Sequence, residues 1–106
     1  MKKSELVRLI GDVLTEIDVL ASGLVPGTAE RKRLDTLRNG LDARQREVVK
    51  AIFNENNKKY MAVTTQINNA NQEMAGTLQD LKKVAQSLDL LTKFVGLVDE
   101  VVSLAA

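Results

Sequence analysis

Tyr60, Ile67, Met74, Leu81, Leu88, Val95 and Val102 stand seven residues apart in this chain. Val63, Ala70, Thr77, Val84, Leu91 and Val98 each follow one of the first six by three. Alternating steps of four and three keep side chains on one side of an α-helix, whereas a strand would require a period of two. This double series predicts a single coiled-coil-like helix over 58–104, roughly 70 Å long at ~1.5 Å per residue.

The same pattern opens the chain. Leu6, Ile10, Val13, Ile17, Leu20 and Leu24 follow a good N-cap candidate, Ser4, with Glu5 in the first turn. Gly23 suits a left-handed C-terminal residue and Pro26-Gly27 a stop, which sets the first helix at 4–23. Thr28 then caps a second helix over 28–53, whose apolar positions are Leu34, Leu37, Leu41, Val48 and Ile52. Asn39-Gly40 could interrupt it, with Asp42 and Gln45 capping a fresh start, but the apolar phase crosses the pair unbroken. Gly40 therefore reads as a close-contact point within one helix. The phase of the third segment differs from that of the second, and Asn54-Glu55-Asn56-Asn57 is the natural turn between them.

The expected fold class is all-α: a three-helix antiparallel bundle or hairpin with long coiled-coil-like helices, forming one domain over 1–106. A second turn candidate lies in the Asn cluster at 68–72. It would fold Tyr60 onto Leu81, Val63 onto Leu78 and Ile67 onto Met74. Conserved phase argues for the turn at 54–57. Burial argues for the later one, which would bring the apolar C-terminus back beside the first helix.

Composition agrees with thin helix-on-helix seams. Aromatics make up only 3% of the chain (Phe53, Tyr60 and Phe94), so the core must be aliphatic. Charged residues make up 27% and the net charge is +1, as befits a folded soluble chain with no strong field.

The C-terminal third is too apolar for a single seam. From Leu81 onward the face spreads through Ala85, Phe94, Leu97, Val101 and Leu104 as well as the heptad positions. If 58–104 is one helix, residues 85–104 overhang the other two, and each wet aliphatic side chain costs roughly 1.5–3 kcal/mol. Leu81, Leu88, Leu91, Phe94, Val95, Val98 and Val102 are therefore the expected partner-binding residues. Self-association into a homo-oligomer, or docking to another helical protein, would cover them. With the later turn they would simply be bundle core.

A membrane surface is a weaker candidate, because residues 60–106 hold more acids than lysines and no arginine. A nucleic-acid role rests on Arg31, Lys32, Arg33, Arg38, Arg44, Arg46 and Lys50. Arg31–Asp35, Arg38–Asp42 and Asp42–Arg46 have ion-pair spacing, and no aromatic is interleaved to stack a base, so solvated pairing is the better reading. The amide-rich stretch from Asn54 to Gln72 reads first as a turn and its approaches, and second as a hydrogen-bonding surface displayed to a partner.

Chemistry has little to work with. Cys and His are both absent, which removes thiolate nucleophiles, zinc clusters and the commonest acid–base group. Asp12 with Glu16, and Asp99 beside Glu100, lack the partners that would make them a metal or glycosidic site. Asn54 and Asn56 faintly resemble the start of a calcium loop, but Lys58 and Lys59 stand where acids belong. No glycine-rich phosphate loop is present, and no base is placed to activate a serine. The chain is expected to be no enzyme, with no cofactor and no metal.

Met1-Lys2-Lys3 opens like a leader, yet Glu5, Arg8, Asp12, Glu16 and Asp18 break every apolar run after it. A cytoplasmic location is the expectation, with secretion lacking a cleaved signal peptide left open. The functional expectation is a non-catalytic helical interaction or assembly protein. A membrane-active or leaderless secreted subunit and a weak nucleic-acid accessory protein are the alternatives.

Overall fold

A computed structural model describes all of residues 1–106. The elements are α1 (Lys3–Ser22), α2 (Ala29–Lys50), α3 (Lys58–Met74), a 3-10 turn at Leu81–Lys83 and α4 (Val84–Val102). The chain is all-helical with four helices, not three, in a bundle 42 × 22 × 17 Å across. The expected long helix over 58–104 is interrupted, and the alternative turn at 68–72 is helical. The reversal falls later, at 75–83.

Local chemistry explains that position. Thr77 and Leu78 N–H both bond back to the Met74 carbonyl, winding down α3 around the weak helix former Gly76. The Asp80 carboxylate then accepts from Lys82 N–H at 2.9 Å and starts the next turn. Heptad phase survives the interruption in sequence but not in burial. On α4 the enclosed residues are Ser87, Leu88, Leu91, Phe94, Leu97, Val98 and Val101. Val95 and Val102, members of the unbroken series, are half-buried.

The other ends correct the sequence reading in detail. Ser4 lies inside α1 and caps nothing; Lys2 is the N-cap residue and makes no side-chain cap. The Glu55 carboxylate accepts from Lys3 N–H at 2.6 Å instead, a cap supplied from far along the chain. Gly23 is right-handed (φ −91°), so its role is close approach: a Cβ there would meet Leu81 Cδ2 at 2.8 Å. Gly27 is the residue with positive φ, at 90°. Thr28 does cap α2, accepting from Arg31 N–H at 3.3 Å. Helix α2 runs unbroken through Gly40, whose nearest neighbour for an added Cβ is its own Arg44 side chain, and ends at Lys50. Asn57 closes the turn at 54–57 by accepting from Lys59 and Tyr60 N–H.

The helices run alternately up and down. Backbones come closest between α1 and α2, α2 and α4, and α3 and α4. Helices α2 and α4 are parallel, since Arg33 pairs with Asp89 and Arg44 with Asp99 at nearly constant offset. Helices α1 and α3 meet mainly through side chains, and Tyr60 Oη donates to the Met1 carbonyl at 2.9 Å. One cluster of 22 buried hydrophobic residues fills the space between all four. The Arg31 guanidinium donates to the Ala21 and Leu24 carbonyls, and Lys3 Nζ to those of Val49 and Ala51. These cations donate to carbonyls where α1 and α2 end, where the helix dipole favours positive charge.

Candidate interaction surface

The seven expected contact residues divide sharply. Leu88, Leu91, Phe94 and Val98 are buried, Val95 and Val102 are half-buried, and only Leu81 is exposed, at 53%. The reversal at 75–83 lays α4 along α3 and against α2, so the overhang anticipated for a continuous helix does not arise. Most of the stripe is core.

Exposed apolar side chains that remain are scattered. Val19, Val25 and Leu81 lie at one end of the bundle, and Val49, Ile52 and Met61 at the other. Val19, Leu20, Gly23, Leu78 and Leu81 line a shallow groove between the end of α1 and the α3–α4 connection. Isolated exposed hydrophobics of this kind are ordinary on a folded surface.

The arginines of α2 are engaged within the chain. Arg33 pairs with Asp89 on α4 (3.2 Å) and Arg44 with Asp99 on α4 (3.2 Å). Arg38 pairs with Asp18 on α1 at 3.1 Å, in place of the Asp42 partner that spacing offered. Arg31–Asp35 and Arg46–Asp42 are the two ion pairs along the helix itself. The basic side chains thus act as stitches between helices, each of modest strength because each is partly solvated.

On α1, burial and then the neighbouring Asp12 carboxylate push the Glu16 carboxyl above its ordinary 4.5. Two acids four residues apart on a helix repel, which is all that this pair does physically.

The outer face of α3 is the unusual one. From Tyr60 to Gln72 the sequence carries no Asp, Glu, Lys or Arg. Tyr60, Val63, Thr64, Ile67 and Ala70 point inward, leaving Met61, Ala62, Thr65, Gln66, Asn69 and Gln72 exposed. Charge returns only at the two ends of the helix: Lys58 and Lys59 at its start, Glu73 at its finish. Between α3 and the end of α4 runs an open groove lined by Lys59, Ala62, Val63, Gln66, Glu100, Ser103 and Leu104. Nearer the other end of α3, Lys93 Nζ on α4 lies 4.0 Å from the Glu73 carboxylate.

Sequence reasoning noted the density of Asn and Gln here but assigned no contact residues to it. The readable sign was the gap in charge, which hydrophobic periodicity does not register. No protein-family model, curated protein or solved structure matches the chain. No helix is long and apolar enough to cross a membrane.

Proposed function

We propose that this chain is a non-catalytic helical assembly protein that docks through the outer face of α3 and the adjoining edge of α4. The observation that carries the reading is the charge-free exposed surface from Met61 to Gln72, on a chain that places charges on the exposed faces of its other three helices. Solvent-facing helical positions ordinarily carry charge, and the cores of protein interfaces are depleted of it. Met, Ala and amide side chains can be covered by a partner without stranding an ion, whereas a buried unpaired charge costs several kcal/mol.

The stripe from Leu81 to Val102 is not the docking surface in this reading, because using it would strip Leu91, Phe94 and Val98 from the core. A membrane-active role through α4 would carry the same penalty. A nucleic-acid role would compete with the carboxylates that already hold Arg33, Arg38 and Arg44.

A photo-crosslinking residue at Gln66, compared with one at the exposed Thr36 on α2, tests the proposal in the cells that make the protein. Covalent adducts are expected from position 66 and not from 36. Equal labelling at both positions, or none at 66, would contradict it.

A further inference from the structure

Resting on the assembly reading, we infer that the occupant of this face is a second copy of the chain, docked antiparallel about a two-fold axis beside Gln66. Lys59, Ala62, Gln66, Asn69 and Glu73 are all exposed and follow one another by three, four, three and four residues. They form one outward stripe, polar apart from Ala62, on a helix whose other side already packs in the core.

The charges at its ends have opposite sign, and Gln66 lies midway between Lys59 and Glu73. A two-fold axis at Gln66 therefore places Lys59 of each copy against Glu73 of the other. The α4 edge follows the same rule. Glu100 shares the groove with Lys59, and Lys93 lies by Glu73, so the axis that pairs Lys59 with Glu73 also brings Glu100 toward Lys93 of the other copy. One operation matches all four charges, as an isologous contact must. A parallel arrangement would set like charges together at both ends. The Gln66 amide both donates and accepts, so it can bond to its own counterpart at the axis, while Asn69 falls opposite Ala62 of the other copy.

Gly96 supplies an independent sign. It sits exposed in the middle of α4, and a Cβ added there would have no heavy atom within 4 Å. Glycine at such a position is about 1 kcal/mol worse than alanine for the helix, and no neighbour within the chain requires it. Close approach of another helix does.

The seam is about 21 Å long at ~1.5 Å per residue, and a strip two helices wide covers roughly 800 Å² in total over both copies. That area is below the range of stable specific interfaces and in that of weak, transient ones, so a dissociation constant of about micromolar or weaker is expected.

Sedimentation equilibrium of the full chain over a wide concentration range tests the inference. The unmodified chain is expected to pass from monomer to dimer. Gln66→Glu alone and Gln66→Lys alone each bring like charges face to face at the axis and are expected to weaken the dimer at least about tenfold. Both should keep their helical circular dichroism, since Gln66 is exposed. Mixing the two variants should restore pairing, because a heterodimer sets Glu against Lys. An unmodified chain that stays monomeric throughout, or variants that pair as well as it does, would overturn the inference. If the Gln66 crosslink then yields an adduct that is not twice the chain's mass, the assembly reading survives with a different partner.

Discussion

Glu16 is a half-buried acid on α1 whose charged form is disfavoured, first by burial and then by Asp12 one turn before it. Its folded pKa lies above the 4.5 of an unperturbed carboxyl, so the folded state holds the proton more tightly than the unfolded state. Below 4.5 the group is protonated in both states and contributes nothing. As pH rises through the interval between 4.5 and the raised folded value, ionisation favours unfolding, and the loss is complete above that interval. Glu16→Gln should therefore stabilise the protein near neutral pH by about 0.2–0.5 kcal/mol, the scale of one repelling pair on a helix. Thermal unfolding at a pH below 4 should show the two proteins converging. A variant less stable than the parent at neutral pH would show that Glu16 makes a favourable contact instead. At this scale the residues that proved readable from sequence are those whose chemistry is complete within a few positions. Thr28 caps the helix that follows it, as its position predicts, and Asn57, read only as part of a turn, does the same for α3. Hydroxyl and amide oxygens reach N–H groups two or three residues on. Ser4 had the same credentials but was displaced by Glu55, a partner that only the tertiary fold brings near.

The element that decides the architecture is the reversal between α3 and α4. Heptad spacing was legible and marks helical residues correctly on both sides of it. It gave no warning of the break, because the nine residues of 75–83 happen to return the count to nearly the same phase. Gly76 and the cap at Asp80 were the local signs, and each is individually weak. The consequence for packing is large. Phe94 is fully enclosed by the bundle, whereas Leu81, in the 3-10 turn, is half exposed. Phe94→Ala is expected to cost about 3–5 kcal/mol and Leu81→Ala less than about 1 kcal/mol, measured by denaturant unfolding. Comparable losses at the two positions, or a Phe94 variant that keeps full stability while losing association, would return the stripe to the surface.

At the scale of the whole molecule, helix count follows from the covering of apolar area. A continuous helix over 58–104 would leave its C-terminal half wet, and folding it back lets α2 and α3 cover it in one cluster with α1. Sequence alone carried the all-helical class and the alternation of directions between α1 and α2. It did not carry the parallel seating of α2 on α4, which brings together pairs such as Arg33–Asp89 and Arg44–Asp99 from more than fifty residues apart. The charge-free face of α3 lay in plain sequence, yet it became meaningful only once Ile67 and Ala70 were known to point inward and Gln66 and Asn69 outward.

Folding back of α4 along α3 is the claim on which the rest depends, and the chain's lack of cysteine makes it directly measurable. Lys59→Cys with Ser103→Cys gives two unique sites for spin labels, on residues that line the same groove. Pulsed electron paramagnetic resonance, with labelled chain diluted in excess unlabelled chain, should report a narrow distribution centred below about 25 Å, since the two helices pack side by side. A distance near 65 Å, the span of a continuous helix at ~1.5 Å per residue, would contradict the four-helix arrangement and put the apolar stripe back in water.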